Sequence, residues 1–378
     1  MDFLQKTLDA WIYIAVFAGL WFIQLSYYLV VFGRVAFGGK KNVSKTIDMP
    51  FGISIVLTAH NVEDLLANNL PHFLEQDFPS EYEVVVVNDR STDASEEILA
   101  ALSMQYPNLH VTYIREDEKF KTTKKLALTV GIKAARHDWI LFSELDTVPS
   151  SPEWLASMQR YFTPRNEIVV GYNTIAPSKK WGNIVFRYNQ LAKALHFLGM
   201  ALLNKPYMAI SRNFAYRKSI FFENKGFAGH VLKPYGEDDL FVQSAGTRDN
   251  TYVNIEPSSV TISRVPEKPE EKKDYCDKYL LSARNYRFAD KVRIVLEPLS
   301  RILFFAGLGV LILLFPDLWP IMVGAFIIRA IIQAIVIYKS GKQLNEPWLA
   351  PFGWILDIFY SPRDICNALS IFLPAKKS

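Results

Sequence analysis

The chain has 378 residues, of which half are hydrophobic, and a formal net charge of +4 at pH 7. This excess of basic residues is too small for a nucleic-acid-binding protein, and two cysteines are too few for a disulfide-stabilised domain. We therefore expect no nucleic acid among its partners. The length allows two or three compact units, and the longest apolar runs lie near the two ends of the chain.

An apolar run near the N-terminus predicts a transmembrane helix. Residues 11–32 contain no charged side chain and are about as long as the ~20 residues that cross a bilayer as a helix. Basic residues at positions 34, 40, 41 and 45 follow the run, and such an excess marks the cytoplasmic side of a membrane. We assign residues 1–45 to a transmembrane helix and basic linker, and predict that the next domain lies in the cytoplasm.

Residues 50–266 alternate short β-branched runs with amphipathic stretches. Strands are predicted at 53–57, 82–87, 110–114 and 139–143, and helices at 62–76, 95–106 and 124–135. This alternation is typical of a doubly wound α/β sheet with parallel strands. We therefore predict a Rossmann-like α/β domain that binds its ligands at the carboxyl ends of its strands.

Two carboxylates one residue apart follow the fourth predicted strand. Glu144 and Asp146 project to the same side of the strand's end, because side chains alternate along a strand. Such a pair suits Mg²⁺ or Mn²⁺, and these cations in turn suit a substrate with phosphates. The alternative is an ordinary turn that starts at Glu144 and continues through residues 147–149.

Other polar residues fall at the same predicted edge of the sheet. His60 and Asn61 follow the first strand, and Asp89 follows the second. Asp93 is explained as a capping residue at the start of the next helix, but capping does not explain why an acid stands at Asp89. Lys124 begins the helix before the fourth strand, where it is placed either to reach a diphosphate or to lie on a solvated helix face.

Three adjacent acids, Glu237, Asp238 and Asp239, precede an apolar helical start. Neighbouring carboxylates raise one another's proton affinity, which can supply a general base for a sugar hydroxyl. The alternative is that they are favourable charges in the first turn of a helix.

Two apolar runs near the C-terminus, residues 299–338 in all, predict a transmembrane hairpin with a tight connection at Pro316-Asp317. The amphipathic residues 267–298 before it are predicted to lie at the membrane interface. Residues 339–378 contain an apolar stretch broken at 361–364, which favours a re-entrant or interfacial segment. Arg329 lies well inside the hairpin, where its side chain should face protein, water or headgroups and not lipid, which allows a functional role. The alternative, which we favour, is that the side chain snorkels to the interface.

The order of these motifs, over roughly residues 50–290, resembles that of family 2 glycosyltransferases. The matching segments are Thr58-Ala59-His60-Asn61, Val86 to Asp93, Lys124 with Ala127-Leu128, Glu144-Leu145-Asp146, Asn213 to Arg217, and Gly236 to Leu240. Membrane-anchored members of this family, related to polysaccharide synthases, also carry terminal membrane helices. The resemblance implies a GT-A fold and an inverting transfer from a nucleotide-diphosphate sugar, the donor.

The resemblance also implies how the donor is held. Asp89 matches the acid that contacts the nucleotide base, with His60 or Asn61 near it. Lys124 matches the lysine beside the nucleotide and diphosphate. Asp146 matches the last acid of the Asp-x-Asp motif that binds a divalent cation, Mg²⁺ or Mn²⁺.

On the acceptor side, Asp238 matches the acid that takes the proton from the acceptor hydroxyl, and Glu237 and Asp239 flank it. Near residue 286, the segment Arg284-Asn285-Tyr286-Arg287-Phe288 resembles the family's Gln-x-x-Arg-Trp segment, which lies over the donor in processive members. Either Arg284 or Arg287 is then a diphosphate partner.

One residue departs from the metal motif, because Glu144 stands where the family usually has Asp. The longer side chain changes how ribose or metal is held, and we assign Glu144 to the donor side. It is also the basis of an alternative function, a non-catalytic membrane scaffold with a residual nucleotide-sugar pocket.

The function that these features predict is glycosyl transfer at the cytoplasmic face of a membrane, in an integral protein of the bacterial inner membrane. The predicted acceptor is a lipid-linked or cell-surface glycan, and membrane lipid is a further partner. About three crossings leave little protein to form a polymer channel, which favours single-sugar addition over the other alternative, processive polysaccharide synthesis.

Overall fold

The structure is a computed structural model that describes residues 2–38, 51–114, 123–233, 235–266 and 269–373. The chain divides into two compact units. The unit called here the helical unit comprises residues 1–39, 180–199 and 283–378, and the sheet unit comprises residues 40–179 and 200–282. The predicted basic linker, with its charges at positions 40, 41 and 45, lies outside the described residues.

Strands occur in the sheet unit. In chain order they are β1 (Ile53–Ala59), β2 (Tyr82–Asp89), β3 (Leu109–Ile114), β4 (Trp139–Phe142), β5 (Thr147–Pro149), β6 (Ile168–Val170), β7 (Asn173–Ile175), β8 (Phe214–Arg217), β9 (Thr251–Val253) and β10 (Thr261–Ser263). Seven form a sheet in the order β3-β2-β1-β4-β8-β6-β9, and β5, β10 and β7 form a second, small sheet.

Helices occur in both units. In chain order they are α1 (Asp2–Ser26), α2 (Gly33–Phe37), α3 (Glu63–Leu74), α4 (Ser95–Gln105), α5 (Lys124–Ala134), α6 (Trp154–Gln159), α7 (Trp181–Leu202), α8 (Lys218–Glu223), α9 (Asp239–Ala245), α10 (Pro269–Ala283), α11 (Phe288–Leu314), α12 (Trp319–Gln343) and α13 (Gly353–Ser370). A π-helical segment, Tyr27–Phe32, joins α1 to α2.

The first half of the large sheet confirms the predicted Rossmann-like α/β arrangement. β1 pairs in parallel with both β2 and β4, and β2 pairs in parallel with β3. The four predicted strands and three predicted helices match β1 to β4 and α3 to α5 to within two residues. The sheet as a whole is mixed, because β8 runs antiparallel to both β4 and β6. The carboxyl ends of β1, β2 and β4 therefore share one edge.

A close contact between α5 and the sheet fixes the position of Lys124 at the start of that helix. A Cβ added at Gly131 would lie only 2.6 Å from Val56 on β1 and 3.0 Å from Val87 on β2. Glycine is therefore required here so that the helix backbone can approach the strands. On the other face of the sheet unit's core, Trp154 is fully buried, with its ring edge-on to Phe73 at 5.7 Å between centroids.

Among its described residues, the helical unit contains three helical stretches that are long and apolar enough to cross a membrane. They are Trp11–Phe37, Phe288–Leu314 and Pro316–Gln343, and they include the predicted N-terminal helix and hairpin. α11 starts at Phe288, so the C-terminal part of the predicted interfacial segment belongs to this long helix. α13 continues through Pro362, where the sequence predicted a break. The roles predicted for residues 267–298 and 339–378 at a membrane remain predictions.

Arg329 does not snorkel, because its charge is compensated inside the helical unit. Its side chain is completely buried, with Nη2 2.8 Å from Asp357 Oδ2 and 2.8 Å from Gln24 Oε1. Nη1 donates to Gln333 Oε1 at 3.0 Å. Asp357, on α13, also pairs with Arg301 on α11 at 2.7 Å. The expectation of snorkelling is therefore wrong.

Two tyrosine hydroxyls complete the surroundings of Asp357. Tyr28 donates to its Oδ2 at 3.0 Å and Tyr188, on α7, donates to its Oδ1 at 2.7 Å. One carboxylate therefore joins four helices and the π-helical segment, and it lies almost completely out of contact with solvent.

We expect the substitution Asp357→Asn to lower the free energy of unfolding by about 3 kcal/mol, because it leaves two buried guanidinium groups with less compensation. Denaturant titration of the full chain in detergent, followed by tryptophan fluorescence, measures the change. The matched control is Asp364→Asn, which removes the more exposed carboxylate partner of Arg301 and should cost less than about 1 kcal/mol. Equal effects of the two substitutions would contradict the importance assigned to Asp357.

Candidate active site

Glu144 and Asp146 follow β4 at the edge shared by the carboxyl ends of β1, β2 and β4. The amide of Thr147 donates to the carbonyl of Glu144 at 3.0 Å, so the predicted turn is present as well. Within that turn both carboxylates are partly buried, with 17% and 26% of their side-chain surfaces exposed. The turn and the acid pair are therefore two aspects of one structure.

Arg212, two residues before β8 in the loop that leads into it, contacts both carboxylates. Its Nη2 lies 2.8 Å from Glu144 Oε2 and 2.8 Å from Asp146 Oδ2, and its Nε lies 3.2 Å from Asp146 Oδ1. The guanidinium also lies 4.8 Å from the ring centroid of Tyr275, within the range of a cation–π interaction. Two carboxylate oxygens thus converge on one cationic nitrogen.

Two lysines connect these acids to the acids at the start of α9. Lys124 Nζ lies 2.5 Å from Glu144 Oε1 and 3.2 Å from Glu237 Oε1. Lys278 Nζ, on α10, lies 3.0 Å from Glu237 Oε1 and 3.5 Å from Asp238 Oδ2. We call these three cations and the four acids Glu144, Asp146, Glu237 and Asp238 the charge cluster.

The cations keep Glu144 and Glu237 ionised. Burial raises the pKa of Glu144, but the charges of Arg212, Lys124 and Lys278 outweigh burial and hold that pKa well below its usual value. Burial likewise raises the pKa of Glu237, and Lys278 and Lys124 bring it below the ordinary value. Conversely, burial lowers the pKa of Lys278, but Asp238 and Glu237 raise it well above the usual range.

Asp238 is the N-cap of α9 and is almost fully buried. Its Oδ1 accepts from the amide of Asp239 at 2.8 Å, and its Oδ2 accepts from the amide of Ser211 at 2.8 Å. The hydroxyl of Tyr279 also donates to Oδ2, at 3.1 Å. Gly236, with a φ of 106°, provides the backbone turn into this helix start. The predicted helix-start role of these acids is therefore correct, and it coexists with their place in the charge cluster.

Asp239, the first residue of α9, is fully buried. It accepts hydrogen bonds from the amide of Leu240 at 2.7 Å and from the hydroxyl of Ser282. Its acceptor-side role stays a prediction, and these contacts give it a structural one.

A cavity of about 250 Å³ opens beside the charge cluster in the sheet unit. Its lining residues are Lys124, Glu144, Asp146, Arg212, Tyr235, Glu237, Arg264, Pro266, Glu271, Tyr275 and Lys278. Four residues predicted from the sequence therefore share this cavity, and Asp238 is a member of the charge cluster that does not line it. Positive and negative groups face the same space, as a phosphate-bearing ligand with a cation would require.

His60, Asn61 and Asp89 form a second group at the same sheet edge. The ring Nδ1 of His60 lies 2.6 Å from the carbonyl oxygen of Asp89, and the Asp89 carboxylate pairs with Arg90 at 3.2 Å. Asn61 accepts from the amide of Thr92 at 2.7 Å. The structure brings these three predicted residues together, and they are not among the described residues that line the cavity.

Arg284 and Arg287 belong to the helical unit. Arg287 is the N-cap of α11, and the carbonyl of Arg284 accepts from Lys291 Nζ at 2.6 Å. Their assignment to the diphosphate stays a prediction.

Arg212 and Lys278 were missed by sequence reasoning, and only one of them has a local signal. Arg212 directly precedes Asn213 to Arg217, a segment that resembles the family, but nothing in the local sequence pattern marks Arg212 as a site residue. Tyr275, Lys278, Tyr279 and Ser282 recur at helical spacing along α10, which indicates one common face. That face contacts the charge cluster, whereas the sequence had suggested a membrane interface for this part of the chain.

Comparison with known proteins identifies the domain. Residues 54–223 match the family model described as Glycosyl transferase family 2. The chain carries a family 2 glycosyltransferase domain. A structure of the mannosyltransferase PcManGT from Pyrobaculum calidifontis, in complex with GDP-Man and Mn²⁺, covers 94% of this chain and 99% of its own, with a TM-score of 0.56 and 17% identity. This likeness confirms the GT-A-like fold.

Two bacterial relatives match parts of this chain. A poly(ribitol-phosphate) beta-glucosyltransferase of Bacillus spizizenii is 34% identical over 95 residues, which are 25% of this chain and 14% of the relative. A poly-beta-1,6-N-acetyl-D-glucosamine synthase of Staphylococcus aureus is 24% identical over 133 residues, 35% of this chain and 31% of the relative. The matches thus span less than a third of each relative's length, and they confirm the predicted relation to polysaccharide synthases.

The family 2 domain offers two carboxylates to a divalent cation. Among the described residues, no three His, Cys, Asp or Glu side chains cluster in a way that could hold a metal ion. Glu144 and Asp146 nevertheless direct one oxygen each at the same cationic nitrogen, and carboxylate oxygens suit Mg²⁺ and Mn²⁺. The pair therefore fits a cation that takes its other ligands from phosphate or water.

We expect Lys278→Met to lower the free energy of unfolding by about 3 kcal/mol at pH 7, because it removes a cation from two buried acids and from the partly buried Glu144. The depressed pKa values of Glu144 and Glu237 stabilise the fold above a pH of about 4.5, and this contribution disappears as the pH falls through their folded-state values. The difference between wild type and variant should therefore shrink as the pH falls below about 4.5. Denaturant titrations at several pH values measure it.

The matched control is Lys273→Met, which removes an exposed lysine from the same helix. It should change stability by less than about 0.5 kcal/mol at every pH. A pH-independent loss in Lys278→Met would show that packing, rather than charge compensation, explains the effect.

Proposed function

We propose that this chain is an inverting glycosyltransferase that moves a sugar from a nucleotide-diphosphate sugar to a lipid-linked or cell-surface glycan. The observation that carries the proposal is the charge cluster, which joins the acids after β4 to the acids at the start of α9 around one cavity. Its donor-side members, Lys124, Glu144 and Asp146, lie within the residues that match the family 2 model. The juxtaposition supports a reaction with separate donor and acceptor groups.

On the donor side, Lys124, Arg212 and Lys278 supply positive charge to the cavity. A diphosphate that enters would compete with Glu144 and Glu237 for these cations, and it would accept charge-assisted hydrogen bonds from them. Asp89, with His60 and Asn61 beside it, is the proposed contact of the nucleoside. Positive groups fixed in advance around the leaving diphosphate are the expected main source of catalysis.

Glu144 and Asp146 are the proposed holders of a divalent cation, Mg²⁺ or Mn²⁺. When bound, such a cation acts as a Lewis acid that stabilises negative charge on the departing diphosphate. Glu144 in place of the usual Asp is compatible with this role, because its Oε2 and the Oδ2 of Asp146 lie at equal distances from one cationic nitrogen.

On the acceptor side, Asp238 is the proposed base for the attacking hydroxyl. The amides of Ser211 and Asp239 hold its carboxylate in a fixed orientation. Burial raises the pKa of the Tyr279 hydroxyl well above the usual range, so this group stays protonated and donates to Asp238. An acceptor hydroxyl would exchange with Tyr279 at Oδ2 and transfer its proton there.

The proposed location is the bacterial inner membrane, with the sheet unit in the cytoplasm. Three stretches able to cross a bilayer, together with the basic residues after the first of them, support this orientation. The names of the two bacterial relatives, which concern poly(ribitol-phosphate) and poly-N-acetyl-D-glucosamine, support a polymeric surface glycan as acceptor. Three such stretches among the described residues favour addition of single sugars over processive synthesis with export.

We expect Asp238→Asn to lower kcat by about 10² to 10⁴-fold while donor binding is preserved, because the amide cannot accept the proton. The assay incubates the detergent-solubilised full chain with Mg²⁺ or Mn²⁺ and a panel of UDP-, GDP- and other nucleotide sugars, and measures the nucleoside diphosphate released. Thermal stabilisation by the same panel identifies the donor independently of turnover.

The control variant is Asp249→Asn. It changes an exposed acid in the turn between α9 and β9 and should retain wild-type turnover. Turnover by Asp238→Asn at the wild-type rate would refute the base assignment. Binding of a nucleotide sugar without turnover across the whole panel would instead support a non-catalytic scaffold. Long products from a lipid-linked acceptor would favour a processive synthase.

A further inference from the structure

Arg212 sits at the point where a divalent cation would have to bind. Its Nη2 lies midway in distance between Glu144 Oε2 and Asp146 Oδ2, at 2.8 Å from each. Lys124 and Lys278 also approach Glu144, but through its other oxygen, Oε1. Arg212 is therefore the described cation that joins the two acids of the pair.

This position cannot be shared with a metal ion. Ligand oxygens lie about 2.0 to 2.6 Å from Mg²⁺ or Ca²⁺, so an ion between these two oxygens would occupy the place of Nη2. A guanidinium keeps its charge at any ordinary pH, and it would repel a dication at contact distance. Arg212 and the cation therefore compete for the same two carboxylate oxygens.

A bound diphosphate would give the Arg212 side chain an alternative partner. Its guanidinium lines the cavity proposed for the diphosphate and packs near the ring of Tyr275 at 4.8 Å. A planar guanidinium forms two parallel hydrogen bonds to phosphate as readily as to carboxylate. A diphosphate in the cavity would thus offer the displaced side chain an equivalent partner.

We infer that Arg212 is an internal competitor for the divalent cation, which moves from the Glu144–Asp146 pair to the donor diphosphate when cation and donor bind together. In the absence of donor, Arg212 weakens cation binding. In its presence, the same residue links the two binding events. Arg212 is thus a positioning residue for the cation, and the inference rests on the proposed donor site.

The direct test is the affinity for Mn²⁺ alone, measured on the full chain in detergent from the electron paramagnetic resonance signal of free Mn²⁺. We expect Arg212→Met to bind Mn²⁺ at least about tenfold more tightly than wild type, because the competing cation is gone. The double variant Arg212→Met with Asp146→Asn should lose this gain. A residue with a merely structural role would lower the affinity when it is replaced.

The matched control is Arg264→Met. Arg264 lines the same cavity, but it pairs with Glu271 at 3.4 Å and has 48% of its side chain exposed. Its replacement removes the same charge and should change the Mn²⁺ affinity by less than about twofold. A similar gain in both variants would assign the effect to net charge and overturn the inference.

A second measurement adds saturating UDP or GDP. Whichever nucleotide binds should strengthen Mn²⁺ binding to wild type by a larger factor than to Arg212→Met, because the variant has no arginine left to displace. If Arg212→Met does not fold, Arg212→Lys serves instead, since a lysine cannot hold both carboxylates as a guanidinium does, and it should show a smaller gain.

Besides a similar gain in Arg264→Met, two further results would overturn the inference: an Mn²⁺ affinity of Arg212→Met no higher than that of wild type, and no Mn²⁺ binding by any variant. Both leave the glycosyltransferase proposal to be decided by the donor-turnover assay with Mg²⁺ or Mn²⁺. A wild type without turnover but with the Arg212→Met gain would reject the proposed function and retain the competition at Arg212.

Discussion

Glu237 and Asp238 have almost no exposed side-chain surface, so each carboxylate must find its compensation inside the protein. The compensating groups come from segments that are distant in the chain: Lys124 at the start of α5, the loop before β8, and α10. None of these segments holds the acids alone. The site of the sheet unit exists only after the sheet and both helices have assembled, and its geometry inherits the rigidity of all three.

The helical unit also buries charged groups that need compensation, but there the groups to be compensated are cations. There one buried acid, Asp357, contacts both buried guanidinium groups, and tyrosine and glutamine side chains add hydrogen bonds around it. A charge in a membrane helix is tolerated when a partner is close and solvent is absent. Among the described residues, each unit therefore contains a buried ionic network that connects elements far apart in sequence.

Local patterns in the sequence predicted much of the sheet unit, because periodicity and strand-end position are local properties. Glu144 and Asp146 were found from alternation along one strand, and Asp238 from its place before a helix. Arg212 and Arg329 could not be assigned in this way. The partners of each lie on other segments, and only the antiparallel approach of β8 to β4, or the packing of α13, reveals them. Lys278 could have been predicted from the sequence, since its helical spacing with Tyr275 and Ser282 places the three residues on one face of α10.

The path of the chain through α7 has a consequence for how the protein can be divided. Residues 180–199 lie between two parts of the sheet unit in sequence, yet they belong to the helical unit, where Tyr188 bonds to Asp357 and Arg187 pairs with Glu346. No single cut in the chain separates the two units. A fragment that keeps residues 50–282 carries α7 without these partners, so it exposes a buried tyrosine and an unpaired arginine. Production of an isolated catalytic fragment therefore requires that α7 be redesigned or replaced by a short loop, and trimming the termini is not enough.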